Sequence, residues 1–183
     1  MGRAAPAKDN GDPMILPLIL LIVFPDTAAA QESSWKLEHG AAFAAPSESN
    51  SNIYRLEIGC GEPYRLAVYT DNGPVLTADG QGEDDYFYKP RRIEAEVDGS
   101  TFPLVAAGSD DAVVLFGEGT AEQGFMADPN PDLLAAIRRG AELTLFFDVT
   151  SAPNGETDSP YETFARFPLQ GSSEVIAQAL AGC

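Results

Sequence analysis

The chain has one histidine, His39, among its 183 residues. A metal centre built from several histidines is therefore excluded. A Ser-His-Asp hydrolase needs only one imidazole, but no G-x-S-x-G elbow is present to hold a nucleophile. Ser100, Ser109, Ser172 and Ser173 all fall where turns or a helix cap already account for them. Cysteine is equally scarce, with Cys60 and Cys183 alone. They have no C-x-x-C spacing and no adjacent base, so a catalytic thiol pair is not expected. Basic residues number 11 against 28 acidic ones, a net charge of −17. That balance opposes nucleic acid and anionic membrane surfaces. The longest apolar run, residues 14–24, is 11 residues long, against the roughly 20 needed to cross a bilayer.

That short run does carry an address. Pro25 and Asp26 break it, and Ala28-Ala29-Ala30 stands just before Gln31. An apolar core, a helix breaker and small residues at the −3 and −1 positions make the layout of a secretory signal peptide. The expectation is a signal peptide over residues 1–30 and a single β-rich domain over residues 31–183. The charges before Met14 are mixed (Arg3 and Lys8 against Asp9 and Asp12), so Met1 and Met14 both stand as candidate starts. The mature chain has 153 residues, the usual size of one domain, with 9 Lys+Arg against 25 Asp+Glu. It contains no apolar run of membrane length. Export implies a periplasmic or secreted location, where two cysteines are expected to pair. A Cys60–Cys183 bridge would tie the last residue to the first third of the chain.

Strand signals fill the mature sequence. Trp35, Leu37 and His39 alternate with Lys36 and Glu38, a period-2 pattern. Tyr54, Leu56, Ile58 and Cys60 alternate in the same way, which predicts that these four share the core face of one strand. Gly61-Glu62-Pro63 turns the chain toward a second hairpin arm at residues 65–70, and Asp71-Asn72-Gly73 ends it. Further strands are predicted at 75–78, 86–88, 92–97, 101–106, 112–116, 143–150 and 163–169, punctuated by turns such as Asp98-Gly99. Residues 46–52 and 151–160 read as polar loops. Many short strands with Gly- and Pro-rich connections predict a mainly β fold, an antiparallel sandwich or barrel-like domain.

Two short helices interrupt the strands. In the first, Asn130 caps and Pro131 takes the first helical position. Asp132 faces the helix dipole, Leu133, Leu134 and Ile137 form the apolar stripe, Arg138 and Arg139 occupy the last turn, and Gly140 stops the helix. The second is C-terminal, about residues 173–181, with Ser172 as cap. Val175, Ile176, Ala179, Leu180 and Cys183 share one of its faces, which carries Cys183 toward the sheet.

Candidate chemistry is confined to acidic and aromatic clusters. Glu83-Asp84-Asp85, Asp110-Asp111 and the Glu94/Glu96 pair supply carboxylates, and a carboxylate-pair hydrolase would need two of them across a cleft about 5–10 Å apart. Glu94 and Glu96 alternate with Ile93, Ala95 and Val97 and read as the polar face of a strand. The glycine-containing acidic loop with Asp79, Glu83, Asp84 and Asp85 is a candidate for calcium, a hard cation that takes oxygen ligands. Its spacing departs from the EF-hand pattern, and a solvated hairpin loop accounts for it as well. Tyr86-Phe87-Tyr88 beside Lys89-Pro90-Arg91-Arg92 could present an aromatic–arginine patch to a protein or glycan, or pack in the core. Tyr86, Tyr88, Arg91, Asp84 and Asp110 are the candidate partner-binding residues.

The tail Phe167-Pro168-Leu169-Gln170-Gly171-Ser172-Ser173-Glu174-Val175-Ile176-Ala177, continuing to Cys183, is a Phe-x-Leu-x-Gly strand followed by a short alanine-containing helix ending in cysteine. It resembles the C-terminal end of small exported proteobacterial proteins, notably the invasion-associated locus B family and the VasI-like proteins associated with type VI secretion. The resemblance implies a β-sandwich-like periplasmic protein without known catalysis. It covers about 17 residues at the end of the chain and carries over no functional residues.

Three functions are thus in view. The first is a non-enzymatic binding or accessory protein for a protein or cell-envelope partner. The second is an acidic inhibitor of a cationic exported hydrolase of the lysozyme type. The third is a carboxylate-pair hydrolase. No cofactor is expected beyond the calcium candidate.

Overall fold

The computed structural model describes residues 1–2, 34–61, 65–71, 73–77, 92–109, 111–117, 129–149 and 162–183. The chain divides into two compact units, Met1–Gln31 and Glu32–Cys183. Every strand and helix named below lies in the second.

The strands are β1 (Lys36–Glu38), β2 (Ala41–Ala44), β3 (Glu48–Ser49), β4 (Ile53–Ile58), β5 (Leu66–Thr70), β6 (Ile93–Val97), β7 (Ser100–Ser109), β8 (Ala112–Gly117), β9 (Glu142–Phe147) and β10 (Thr163–Pro168). The helices are α1 (Pro131–Ile137) and α2 (Ser172–Leu180). The ten strands form one antiparallel sheet in the order β1-β2-β4-β5-β8-β7-β6-β9-β10-β3. The mainly β fold with two short helices, one of them C-terminal, is therefore as expected.

Chain connectivity forces this sheet to curl. β2 and β3 stand eight strand spacings apart in the order, about 38 Å if the sheet were flat. Ala44 and Glu48 are joined by four peptide steps, which reach at most about 14 Å. The sheet therefore wraps into a half-barrel that brings β3 beside β10. Residues 46–52 were expected to be a polar loop. Their side chains instead clamp onto β10. Asn50 accepts the Phe164 N–H at 2.6 Å through Oδ1 and donates to the Glu162 carbonyl at 3.0 Å. The Ser49 hydroxyl donates to the Phe164 carbonyl at 2.9 Å. At the opposite edge, Trp35 Nε1–H donates to the Pro168 carbonyl at 2.8 Å, holding the start of β1 against the end of β10.

Inward-facing positions alternate as period-2 reasoning demands. Ile93, Ala95 and Val97 of β6, Leu143, Leu145 and Phe147 of β9, and Ala165 and Phe167 of β10 are buried in one core. Leu133 and Ile137 of α1 and Ile176 and Ala179 of α2 complete that core. Asn130 caps α1 as expected, its Oδ1 accepting from Asp132 N–H and Leu133 N–H at 2.9 and 3.3 Å. Arg138 is the C-cap of that helix and Arg139 follows it. At α2 the cap differs from expectation. Gly171 takes the N-cap position in the left-handed region, and Ser172 is the first helical residue. The Ser172 hydroxyl is spent elsewhere, donating to the Ile137 carbonyl at the end of α1 at 3.0 Å. This buried bond links the two helices. The 75–78 segment is also not a strand in its described part; it contributes a single bridge, Thr77 to Ser51.

Two hairpins share one turn chemistry. Glu38 pairs with Ala41 and Val97 with Ser100, leaving His39-Gly40 and Asp98-Gly99 as two-residue loops. All four have positive φ (49° and 83°, 49° and 82°), as a type I′ turn requires. His39 thus sits in a turn and not in a strand. Asp98 does more than turn the chain. Its carboxylate accepts from the Ala141 and Glu142 N–H groups at 2.9 and 3.1 Å, binding the β6–β7 hairpin to the start of β9.

Cys60 and Cys183 are bonded, with Cα atoms 5.3 Å apart and a sequence separation of 123 positions. Cys60 lies two residues beyond β4, and Cys183 three beyond α2. The bond therefore pins the C-terminal helix to the end of β4, the third strand in the sheet order.

Candidate functional site

The sequence-nominated partner residues Tyr86, Tyr88, Arg91, Asp84 and Asp110, and the calcium candidates Asp79, Glu83, Asp84 and Asp85, lie outside the described residues. Among the described residues, no group of three or more His, Cys, Asp and Glu is close enough together to hold a metal ion. Glu94 and Glu96 lie half-buried on one face of β6, in the alternation expected.

The described domain does form a hollow elsewhere, on the outer face of β4 and β5. Its volume is about 280 Å³, and its wall comprises Glu38, His39, Ala41, Tyr54, Arg55, Glu57, Tyr69 and Asp111. A β-bulge builds it. Ile53 pairs with Thr70 and Arg55 with Tyr69, so Tyr54 is the extra residue on β4. One inserted residue reverses the side-chain alternation and re-aims what precedes it. Ile53 is consequently buried, whereas Tyr54 is 43% exposed. The expectation that Tyr54 shares the core face with Leu56 and Ile58 is corrected by this bulge.

Past the bulge, Arg55 and Glu57 stand two apart on the outer face. The Arg55 guanidinium lies 2.6 Å from Glu57 Oε2 and 3.9 Å from Glu38 Oε2. It stacks over the Phe43 ring at 3.9 Å from the centroid and reaches the Tyr69 ring at 5.9 Å. The register explains each neighbour: Phe43 is opposite Glu57, and Tyr69 is opposite Arg55. Arginine is thus held flat as a wall of the hollow by an ion pair on one side and aromatic faces on the others. Tyr54 and Tyr69 stand with ring centroids 6.4 Å apart and planes tilted by 51°, within the spacing of interacting aromatic pairs.

The electrostatics are lopsided. Three carboxylates (Glu38, Glu57 and Asp111) face one guanidinium. Glu57 is nearly buried and neutralises Arg55 at close range. The Tyr54 hydroxyl responds to burial first and to this charge second. Its pKa is raised above 10.0, first by burial, then by the Asp111 carboxylate, with Asp71 and Glu57 adding and Arg55 opposing.

Sequence reasoning reached Asp111 through the Asp110-Asp111 pair. It assigned Tyr54 to the wrong face and gave no role to Arg55, Glu57 or Tyr69. The available signal was the Arg55-x-Glu57 spacing, which places opposite charges on one face of a strand. The bulge that brings the tyrosines to that face has no local signature in the sequence.

No protein-family model, curated protein or solved structure matches this chain.

Proposed function

We propose that this chain is an exported, extracytoplasmic binding or accessory protein without catalytic activity, using a disulfide-tied β scaffold to present its outer face to a partner. The observation that carries this reading is the tyrosine-lined hollow. Its side chains come from paired strands and a tight hairpin, so the surface is held in shape before anything binds, which lowers the ordering cost of association. The Cys60–Cys183 bond suits an oxidising compartment, in keeping with the signal-peptide layout of residues 1–30. No helix among the described residues is long and apolar enough to cross a membrane. The partner is a protein or a component of the cell envelope.

Cell fractionation with mass spectrometry tests the export half of this reading. The expected product begins at Gln31 and is two hydrogens lighter than its reduced form. An unprocessed species with both thiols open to alkylation would refute it. Pull-down from periplasmic extract at low and high salt tests the binding half.

The acidic-inhibitor reading is a second function supported by the excess of carboxylates around the hollow. It expects a cationic lysozyme-type hydrolase to lose activity in the presence of the protein, and to regain it as salt is added.

A further inference from the structure

We propose that the β4–β5 hollow receives a single basic side chain, lysine or arginine, from a cationic protein partner. The inference rests on the binding reading above and names the chemistry of its site. Size, wall chemistry and charge each bear on it.

The hollow is about 280 Å³, just under the roughly 300–1,000 Å³ of sites that enclose a whole small molecule. It suits one side chain of a larger partner. The Tyr69 ring already meets Arg55, and the exposed ring, Tyr54, stands beside it at the bulge where a partner can reach it. Ring faces attract cations and pack against the methylene stems of lysine and arginine.

Charge decides between a cation and an anion. Arg55 by itself would draw a carboxylate or phosphate. It is already engaged by Glu57 at 2.6 Å and seated on Phe43. Glu38 is 3.9 Å from that same guanidinium, the outer limit of an ion pair. Asp111 is exposed on the rim beside Tyr54. With Glu57 neutralising Arg55, Glu38 and Asp111 keep capacity to spare, and an anion would meet both of them. The surrounding mature chain, with 9 Lys+Arg against 25 Asp+Glu, adds a field of the same sign that speeds the approach of a basic partner. The carboxylates stand around the hollow instead of converging into a metal-holding cluster. That spread suits a delocalised or stem-borne cation better than a bare ion.

The test is a titration of the isotope-labelled, oxidised protein followed by NMR. The probes are Nα-acetyl-lysine methylamide and Nα-acetyl-arginine methylamide, with the norleucine analogue as the uncharged isostere and a neutral chitosaccharide as the glycan control. The basic probes are expected to shift the Tyr54, Tyr69 and His39 resonances, and norleucine is not. Asp111→Asn and Tyr54→Ala are each expected to weaken binding about two- to five-fold, the range for one exposed charge pair or one exposed cation–π contact. Asp111 is a surface residue, so its asparagine variant keeps the fold even where Tyr54→Ala does not. Equal shifts from norleucine or from the chitosaccharide would overturn the cation and leave the binding reading standing. Silence at the hollow from every probe would overturn the cation inference. The pull-down would then decide separately whether the protein binds a partner through another surface.

Discussion

Replacing both cysteines, Cys60→Ala with Cys183→Ala, opens a loop of 123 residues that contains strands β5 to β10 and both helices. The folded state keeps most of its contacts, since α2 still buries Ile176 and Ala179 against the sheet. The unfolded chain gains the freedom that the cross-link denied it. For a loop of this length the chain-entropy relation assigns about 5 kcal/mol at 25 °C. Domains of this size are commonly stable by only about 5–15 kcal/mol, so the loss takes a large share of the total. In thermal unfolding it corresponds to a fall of about 10–20 °C in Tm. Urea unfolding measures the same quantity, and Trp35, the only tryptophan and 3% exposed, is the reporter. The oxidised protein and the double variant are compared, with the reduced parent chain as control. The reduced parent should behave like the double variant, and the denaturant slope should increase because the unlinked chain exposes more surface when it unfolds. A loss below about 1 kcal/mol with an unchanged slope would refute the reasoning, because the bond would then not constrain the denatured chain.

Three further outcomes follow from the geometry. Asp98→Ala removes the acceptor for two N–H groups and leaves a side chain with no compensating bond at φ 49°; it should cost about 1–3 kcal/mol in urea unfolding, and Asp98→Gly should cost less because it removes the backbone strain. At Gly140 a Cβ would sit 2.5 Å from Val97 Cγ1 and 3.0 Å from Asp98 Oδ2, so Gly140→Ala should cost about 1–3 kcal/mol. Combined with Val97→Ala the total should fall short of the sum of the single losses, because the clash is removed. Tyr54 should titrate above 10.0 by ultraviolet difference spectroscopy, and Asp111→Asn should bring its midpoint down. Since the folded pKa is the higher one, the linked stability is fully present below the unfolded value and is lost as pH rises through the folded value. A midpoint unmoved by Asp111→Asn would show that the carboxylate does not act on the phenol.

Each feature legible in the sequence had a short-range cause. Asn130-Pro131 starts α1 because a side-chain acceptor and a preset φ act within one turn. Asp98-Gly99 turns because those residues tolerate positive φ. Alternation along β6, β9 and β10 marked their buried faces because a strand repeats every two residues. The Cys60–Cys183 pair was open to counting alone, because two thiols allow one intramolecular bond. The face of Tyr54 was not legible. It depends on the pairing of Ile53 with Thr70 and Arg55 with Tyr69, and that register is a property of two strands. The β3–β10 contact was hidden for the same reason. Ser47, Ser49 and Asn50 read as a polar loop until β10 supplies carbonyls and an N–H for them to meet.

The amino-acid order by itself determined where chain direction and polarity change, because caps, turns and alternation are written within a few neighbouring residues. Only the folded sheet decided which of those residues would stand together. Glu38, Tyr54, Tyr69 and Asp111 come from separate stretches of chain. They enclose one hollow because a single extra residue in β4 turns Tyr54 out of the core, and long-range pairing alone determines where that residue is accommodated.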